Sequence, residues 1–334
     1  MTVDMRRRTF VKFAATAAFG WPLSALAQRD TAVRRIGVLM PSSADDAEVK
    51  DELAAFVQQL QRLGWTDGGN LRIDYRWSND SQTLQVNAEE LIGLQPDVIF
   101  TRSTPATAAF LKQTRTIPVV FAVVADPVGE GFVASLARPG GNATGFTNAE
   151  ASLTGKWLAL LKEIAPGMKR LGFIFDPKVA PSGGAYYTGL VKTAAASSAV
   201  VPIPMPVHTV NETERAIGDF ARVPDGGLLV LPDTTTNLHR AVIIALANRY
   251  RLPSIYAFHN LAEEGGLISY GVDVSDLFRR GAIYVDRILK GTNPADLPVQ
   301  LPEKFELVIN LKTARDLGLT VSNQVQLLAD KVIE

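Results

Sequence analysis

Two kinds of apolar pattern alternate along the chain. Short aliphatic runs, such as residues 36–40 and 227–231, alternate with stretches in which apolar residues recur every three or four positions, as at Val49, Leu53 and Phe56. The short runs predict buried strands, and the longer period predicts amphipathic helices. Strands separated by helices of this length predict parallel sheets built from βαβ units, so the predicted fold class is α/β.

The alternation occurs as two consecutive series, over residues 36–124 and 157–270. Two series predict two Rossmann-like lobes, each with its own parallel sheet, and a chain of 334 residues exceeds the size at which one core usually divides. The Pro/Gly-rich residues 137–145 are the predicted first crossing between the lobes. Prolines at 202, 204 and 206 predict that the strand over 200–207 lies at a sheet edge.

Residues 1–27 have the pattern of a secretory signal peptide. Basic residues at 6–8 and 12 precede an uncharged stretch too short to span a membrane, and Ala25-Leu26-Ala27 is a cleavage pattern. Residues 7–12, Arg-Arg-Thr-Phe-Val-Lys, resemble the twin-arginine export motif, and an ordinary signal with a basic head is the alternative. Both interpretations predict a periplasmic protein cleaved after Ala27. No cysteine at the cleavage site could accept a lipid, so a soluble protein is expected.

Composition excludes several classes of site. The sequence has no cysteine, which excludes disulfides, thiolate metal sites and a cysteine nucleophile. It has 34 basic and 34 acidic side chains, so no basic field is present to bind nucleic acid.

Polar residues follow several predicted strands, where ligands bind in open α/β sheets. Thr104 suits the N-cap and Pro105 the first position of a helix whose free N–H groups could bind a carboxylate, although a plain helix cap is the alternative. Asp233 or Thr234 could cap a second helix, or Asp233 could pair with a ligand amine. Tyr256 and Tyr270 could serve as ligand platforms or as packing residues. The predicted ligand-binding residues are Ser42, Ser43, Ser103, Thr104, Asp126, Thr147, Asn148, Asp233, Thr234, Tyr256 and Tyr270.

Signals for catalysis are weak. His208, His239 and His259 are not at metal-binding spacing, and neither a G-x-S-x-G elbow nor a phosphate loop occurs. Residues 129–134 fit the dinucleotide pattern G-x-G-x-x-A, but they do not open the first βαβ unit and a helix start with flexible glycines is the alternative. The prediction is therefore a protein that is not an enzyme and has no cofactor and no metal.

A long ordered series of motifs resembles the ABC-transporter substrate-binding family that includes the tryptophan-binding proteins. The series comprises Leu63-Gly64-Trp65, Pro96-Asp97-Val98-Ile99 and Ser103-Thr104-Pro105-Ala106-Thr107, and then residues 116–121, 126–129, 136–145, 155–158, 284–291, 296–300 and 305–314. It covers nearly the whole chain after residue 27. The resemblance also includes the glycines of the dinucleotide-like pattern.

The resemblance implies a type I periplasmic binding fold, in which a three-stranded hinge joins two lobes. It implies chain crossings near 146–150, 271–275 and 300, and hence lobes over 32–148 plus 274–300 and over 149–273 plus 301–334. The helix over 276–290 would then pack on the first lobe. The implied function is that of a monomer that captures a small solute, an amino acid or aromatic acid, and delivers it to ABC permease subunits in the inner membrane. A sensor that presents its ligand to a membrane receptor, or a Rossmann-like enzyme, are the alternatives.

Overall fold

The computed structural model describes residues 33–78 and 80–334, and the predicted signal peptide over 1–27 lies outside them. These residues form two α/β lobes, each around its own sheet, as the alternation of strands and helices predicted. Within this described part of the chain, no helix is both long and apolar enough to cross a membrane.

Lobe 1 contains a parallel five-stranded sheet with the order β2-β1-β3-β4-β5. Its apolar faces are covered by helices that follow the strands, and the central strands β3 and β4 are buried throughout. The elements are β1 (Arg34–Met40), α1 (Ala47–Arg62), β2 (Leu71–Trp77), α2 (Ser81–Gly93), β3 (Val98–Arg102), α3 (Thr104–Leu111), β4 (Val119–Val124) and β5 (Ala143–Thr147).

Lobe 2 contains a seven-stranded sheet with the order β12-β11-β10-β9-β8-β6-β7, in which only β10 and β11 pair antiparallel. Its strands are β6 (Arg170–Phe175), β7 (Val201–Pro206), β8 (Gly226–Val230), β9 (Ser254–Tyr256), β10 (Ile268–Val272), β11 (Phe305–Asn310) and β12 (Lys331–Ile333). Its helices are α4 (Ala151–Ile164), α5 (Ala185–Ala196), α6 (Val210–Ala221), α7 (Thr234–Leu238), α8 (Arg240–Arg249), α9 (His259–Glu263), α11 (Leu311–Leu317) and α12 (Asn323–Leu328).

The prolines of β7 show why this strand lies at the edge of its sheet. The N–H groups of Val201 and Val207 donate to Lys169 and Phe175, on the β6 side. Successive residues of a strand point their N–H groups to opposite sides, so the missing N–H groups of prolines 202, 204 and 206 all fall on the outer side. The prediction of an edge strand is confirmed.

Helix α10 (Val274–Leu289) follows β10 of lobe 2 but packs on α1, β3 and β4 of lobe 1. The rings of Phe278 and Phe100 pack edge-on with their centroids 5.0 Å apart, and Trp65 donates from its indole nitrogen to Asp286 at 2.8 Å. Gly281 permits this packing, because a Cβ atom there would come within 2.5 Å of the Phe100 ring.

The loop at residues 137–142 does not cross between the lobes, contrary to the prediction. Asn142 anchors it to lobe 1 by donating from its side chain to the Ile117 carbonyl at 2.8 Å, and β5 then joins β4 in the lobe 1 sheet. The chain reaches lobe 2 after β5, beside the segment at Gln300, whose carbonyl accepts from the Thr147 N–H at 2.9 Å. The limits 32–148 plus 274–300 and 149–273 plus 301–334 stay a prediction.

Candidate functional site

Two strand-to-helix turns, one from each lobe, line the same narrow cleft. The turn after β3 contributes Ser103 and Thr104, and the turn after β8 contributes Asp233 and Thr234. Asn148, at the chain crossing after β5, lies between them. The space that these residues surround measures about 30 Å³. Five residues predicted from the sequence thus meet in one place, because each follows the carboxyl end of a strand.

Ser103 adopts a backbone conformation that few residues other than glycine adopt. Its φ of 81° and ψ of 158° place it outside the regions allowed to most side chains. It, and not Thr104 as predicted, is the N-cap residue of α3, but its side chain makes no capping hydrogen bond. Its Oγ is buried and has no hydrogen-bond partner among the described residues. The turn therefore holds a hydroxyl at the cleft without using it internally.

Asp233 is bonded within its own lobe. One carboxylate oxygen accepts from the Thr236 N–H at 2.7 Å and the other accepts from the Asp176 N–H at 2.9 Å, so Asp233 caps α7 as predicted. Burial raises the pKa of Asp233 to about 7, and the Asp176 carboxylate nearby contributes in the same direction. The carboxyl group thus stabilises its own turn, whatever else it contacts.

Two amide side chains add unused acceptors. The Oδ1 atoms of Asn148 and Asn237 are buried without a hydrogen-bond partner in the described structure, and both residues line the cleft. Amide oxygens accept hydrogen bonds, so they suit a ligand that donates, such as an ammonium group. Asn148 was predicted as a site residue, whereas Asn237, inside the short helix α7, was missed because no sequence pattern distinguishes it.

Arg102, the last residue of β3, is a buried cation in the cleft wall that was also missed. Its guanidinium group binds Glu52 of α1 through Nη2 at 3.1 Å and Nε at 3.0 Å. The ring of Phe258, from lobe 2, lies 5.8 Å from its Cζ atom. The sequence signal that could have identified Arg102 is Glu52, a carboxylate within the apolar stripe of α1, because a buried carboxylate needs a partner of opposite charge.

Ser42, Ser43 and Asp126 lie outside the set of residues that line this cavity. Ser42 is buried after β1 and its hydroxyl has no hydrogen-bond partner among the described residues. Ser43 is exposed and accepts from the Asp45 N–H. Asp126 accepts from the Gly129 N–H at 2.9 Å, so it closes the turn that carries the dinucleotide-like glycines.

Thr147, Tyr256 and Tyr270 are also absent from that lining set. Thr147 is buried at the chain crossing, and Tyr256 is fully buried in the apolar core. Tyr270 stacks on Phe305, and its hydroxyl pairs with the Lys156 amine at 3.0 Å. The two tyrosines therefore have the packing roles that the sequence left open.

The lobes also contact each other at the rim of the cleft. Asp46 of lobe 1 pairs with Arg240 of lobe 2 at 3.2 Å, and Arg240 is held in turn by Glu264 at 2.9 Å. On another side, the Ser182 N–H of lobe 2 donates to Glu130 of lobe 1 at 2.8 Å. We call these two contacts the rim contacts.

The comparison with protein families decides the identity of the chain. Residues 35–333 match the model of the family described as ABC transporter substrate binding protein. The chain belongs to this family. The family resemblance predicted from the sequence is confirmed, and members of this family are solute-binding proteins rather than enzymes.

Individual proteins that are similar to this chain extend this result. A tyrosine-binding protein of Clostridioides difficile is 29% identical over 269 residues, which are 79% of this chain and 75% of that protein. A solved ABC domain in complex with L-Trp, from Streptococcus pneumonia, is 24% identical with a TM-score of 0.83, over 90% of this chain and 99% of that one. The type I periplasmic binding fold is therefore confirmed.

A third structure bears on the arrangement of the lobes. The ligand-free, open form of a substrate-binding protein with adhesive properties from Clostridium difficile is 26% identical, with a TM-score of 0.67 over 90% of this chain and 99% of that one. Its identity to this chain is close to that of the L-Trp complex, yet its score is much lower. In the present structure the rim contacts join the two lobes and the cleft between them is narrow.

Proposed function

We propose that this substrate-binding protein is the extracytoplasmic receptor of an ABC importer, which captures a small solute between its lobes and delivers it to permease subunits in the inner membrane. The observation that carries the proposal is the set of buried, unpartnered polar atoms that the two lobes bring to one cleft. Buried polar groups without partners are rare in folded proteins, and a bound ligand is one common reason for them.

We propose an amino acid as the solute. A carboxylate fits the N-terminus of α3, where free backbone N–H groups and the Ser103 hydroxyl are available. An ammonium group fits the amide oxygens of Asn148 and Asn237. The two ends of one zwitterion would thereby join lobe 1 to lobe 2.

An apolar or aromatic side chain suits the rest of the cleft wall. Pro105, Val123, Pro232 and Phe258 contribute apolar surface, and Tyr187 is fixed there by donating to the Pro232 carbonyl at 3.1 Å. The relative named as a tyrosine-binding protein supports the same class of solute.

Binding of such a solute requires motion between the lobes. A space of about 30 Å³ is too small for an amino acid, so the lobes must separate for the solute to enter and must stand further apart around it than they do here. We propose lobes over 32–148 plus 274–300 and over 149–273 plus 301–334, and a hinge-closing monomer. A ligand that contacts both lobes binds the closed form better and can drive closure.

Small-angle scattering tests this closure. The radius of gyration should be smaller at saturation with the solute than without it, and an unchanged curve would contradict the mechanism.

The solute class is tested by thermal-shift and calorimetric titrations with the L-amino acids. The matched comparison uses aromatic acids that lack the ammonium group and amines that lack the carboxylate. Thr104→Ala should weaken binding by about 10-fold. Thr193→Ala is the control, since that hydroxyl bonds only the Gly189 carbonyl of its own helix. Tight binding of sugars without binding of any amino acid would refute the solute class and leave the family assignment intact.

Export is proposed to use the twin-arginine route, with cleavage after Ala27. Replacing Arg7 and Arg8 together by lysine should leave precursor in the cytoplasm. Normal export of that variant would refute the route. Delivery is tested by reconstituting the permease and ATPase encoded by neighbouring genes in vesicles, where uptake of the solute should require this protein.

A further inference from the structure

A second cavity, separate from the solute cleft, lies between the lobes beside the crossing from β10 to α10. It measures about 430 Å³, within the range of organic ligand sites. Residues of α1 and α10 line it from lobe 1, and residues of α9, β11 and β12 line it from lobe 2. We call it the hinge-side cavity.

The wall of the hinge-side cavity carries an excess of carboxylates. Arg279 and Lys331 are the only permanently charged cations among its lining residues, and each is already paired, with Asp273 at 3.1 Å and Glu263 at 2.9 Å. The Nδ1 atom of His259 lies 3.3 Å from the Glu306 carboxylate. The carboxylates that line the cavity are Glu48, Asp51, Glu52, Glu263, Asp273, Glu306 and Asp330.

Glu48 provides an independent observation that points to a ligand. Its side chain is only 6% exposed, and neither carboxylate oxygen has a hydrogen-bond partner among the described residues. The cation that pairs with Glu48 in the described structure is Arg102, whose Nη2 is 4.0 Å away and whose guanidinium group already binds Glu52 at 3.0 Å. Two buried carboxylates thus share one cation.

Glu48 and Glu52 are buried beside too little positive charge to balance two ionised carboxylates. Burial raises the pKa of Glu52 to about 8, and burial likewise raises the pKa of Glu48. A cation in the cavity would supply the missing positive charge and favour the ionised forms.

The geometry favours an organic cation over a metal ion. Among residues 33–78 and 80–334, no group of three or more histidine or carboxylate side chains is close enough together to hold a metal ion. The carboxylates are instead spread along both walls, and Val274 and Val308 provide apolar surface between them. That distribution suits positive charges separated by methylene groups, since alkylammonium chains bury their methylenes against apolar surface.

We propose that the hinge-side cavity binds an aliphatic polyamine. One ammonium group would bind Glu48 and Glu52 of lobe 1, and another would bind Glu306 and Asp330 of lobe 2. A polyamine bound in this way bridges the lobes next to a chain crossing. The site is distinct from the solute cleft, and its existence does not depend on which solute the cleft binds.

The test is calorimetric titration of the purified protein with spermidine, without any amino acid and at fixed ionic strength. One saturable site is expected, with n-butylamine and Mg²⁺ each binding at least 10-fold more weakly. Glu48→Gln and Glu306→Gln should each weaken spermidine binding by about 10-fold. Glu89→Gln is the matched control, because Glu89 is an exposed carboxylate on α2 and leaves the cavity unchanged.

Three outcomes would overturn the proposal: no saturable binding, equal binding of Mg²⁺ and spermidine, or equal effects of Glu89→Gln and Glu306→Gln. Glu48 is buried, so Glu48→Gln could also disturb folding. Glu306, whose side chain is 38% exposed, gives a second variant that retains the packing, and a thermal melt checks that it is folded. A crystal structure with spermidine locates the ligand, and density only on the outer surface would also refute the site.

Discussion

The two turns that line the cleft have similar positions but opposite internal bonding. Asp233 in lobe 2 uses both carboxylate oxygens to hold its own turn and the Asp176 N–H. Ser103 in lobe 1 has a strained backbone and a buried hydroxyl without a partner. The Asp233 carboxylate is satisfied without a ligand, and the Ser103 hydroxyl is not.

This difference separates stability from binding. A polar group that already satisfies its neighbours contributes mainly to folding, whereas a preorganised group left unsatisfied contributes when a ligand arrives. Strain at Ser103 is the kind that surrounding structure maintains at functional sites. We therefore expect Asp233 to govern stability and Ser103 to govern solute affinity.

The largest expected effect is on stability. Asp233→Ala removes the cap of α7 and leaves the buried Asp176 N–H without a partner. We expect the free energy of unfolding to fall by about 2–4 kcal/mol in urea denaturation. Asp80→Ala, which removes the exposed cap of α2 and only local, exposed bonds from Thr83, should have a smaller effect. An equal loss in both variants would contradict the special role of Asp233.

The dependence of stability on pH gives a second test of the same turn. The pKa of Asp233 in the folded state is about 7, above the ordinary value of 3.8. Between pH 3.8 and pH 7, the folded state therefore holds a proton that the unfolded state has released. The stabilisation from this group is present below about pH 4 and is lost as pH rises through 7. Relative to Asp233→Asn, the wild type should lose at most about 1.4 kcal/mol per pH unit in this window. Parallel pH profiles of the two proteins would contradict the raised pKa.

Ser103→Gly should change stability and affinity in opposite directions. Glycine relieves the positive φ, so we expect a gain of about 1 kcal/mol in the free energy of unfolding. Loss of the hydroxyl should weaken solute binding by about 2- to 10-fold.

Ser103→Ala is the matched comparison for that variant. It removes the hydroxyl but keeps the strained backbone, so it should weaken binding to a similar extent without the gain in stability. If Ser103→Gly left affinity unchanged, the lobe 1 turn would not contact the solute.

The smallest expected effect concerns the rim contacts. Asp46→Asn removes the charge that pairs with Arg240 but can still cap α1, where Asp46 accepts from the Glu48 N–H at 3.1 Å. Solute affinity should fall by about 2- to 5-fold, mainly through faster dissociation, because a partly exposed ion pair contributes little. Asp80→Asn makes the same change at the cap of α2 and should leave affinity unchanged.

Much of the fold and part of the site followed from local patterns. Apolar periodicity predicted the strands and helices, and the spaced prolines predicted the edge position of β7. Both signals are local, because they depend only on residues close together in the chain. Asp233 was predicted as a cap for the same reason, since a cap bonds residues only three positions away. Strand ends also predicted Ser103, Thr104 and Asp233 as neighbours in one cleft.

The sequence by itself therefore determined which segments are strands, which are helices and where each turn exposes polar groups. Only the tertiary structure decided that β5 completes the lobe 1 sheet, that Tyr256 is a core residue, and that Arg102 meets Glu52. These arrangements join residues far apart in the chain, as Arg102 and Glu52 are separated by 50 positions. The pairing of such residues depends on which surfaces bury each other, and neither periodicity nor turn chemistry carries that information.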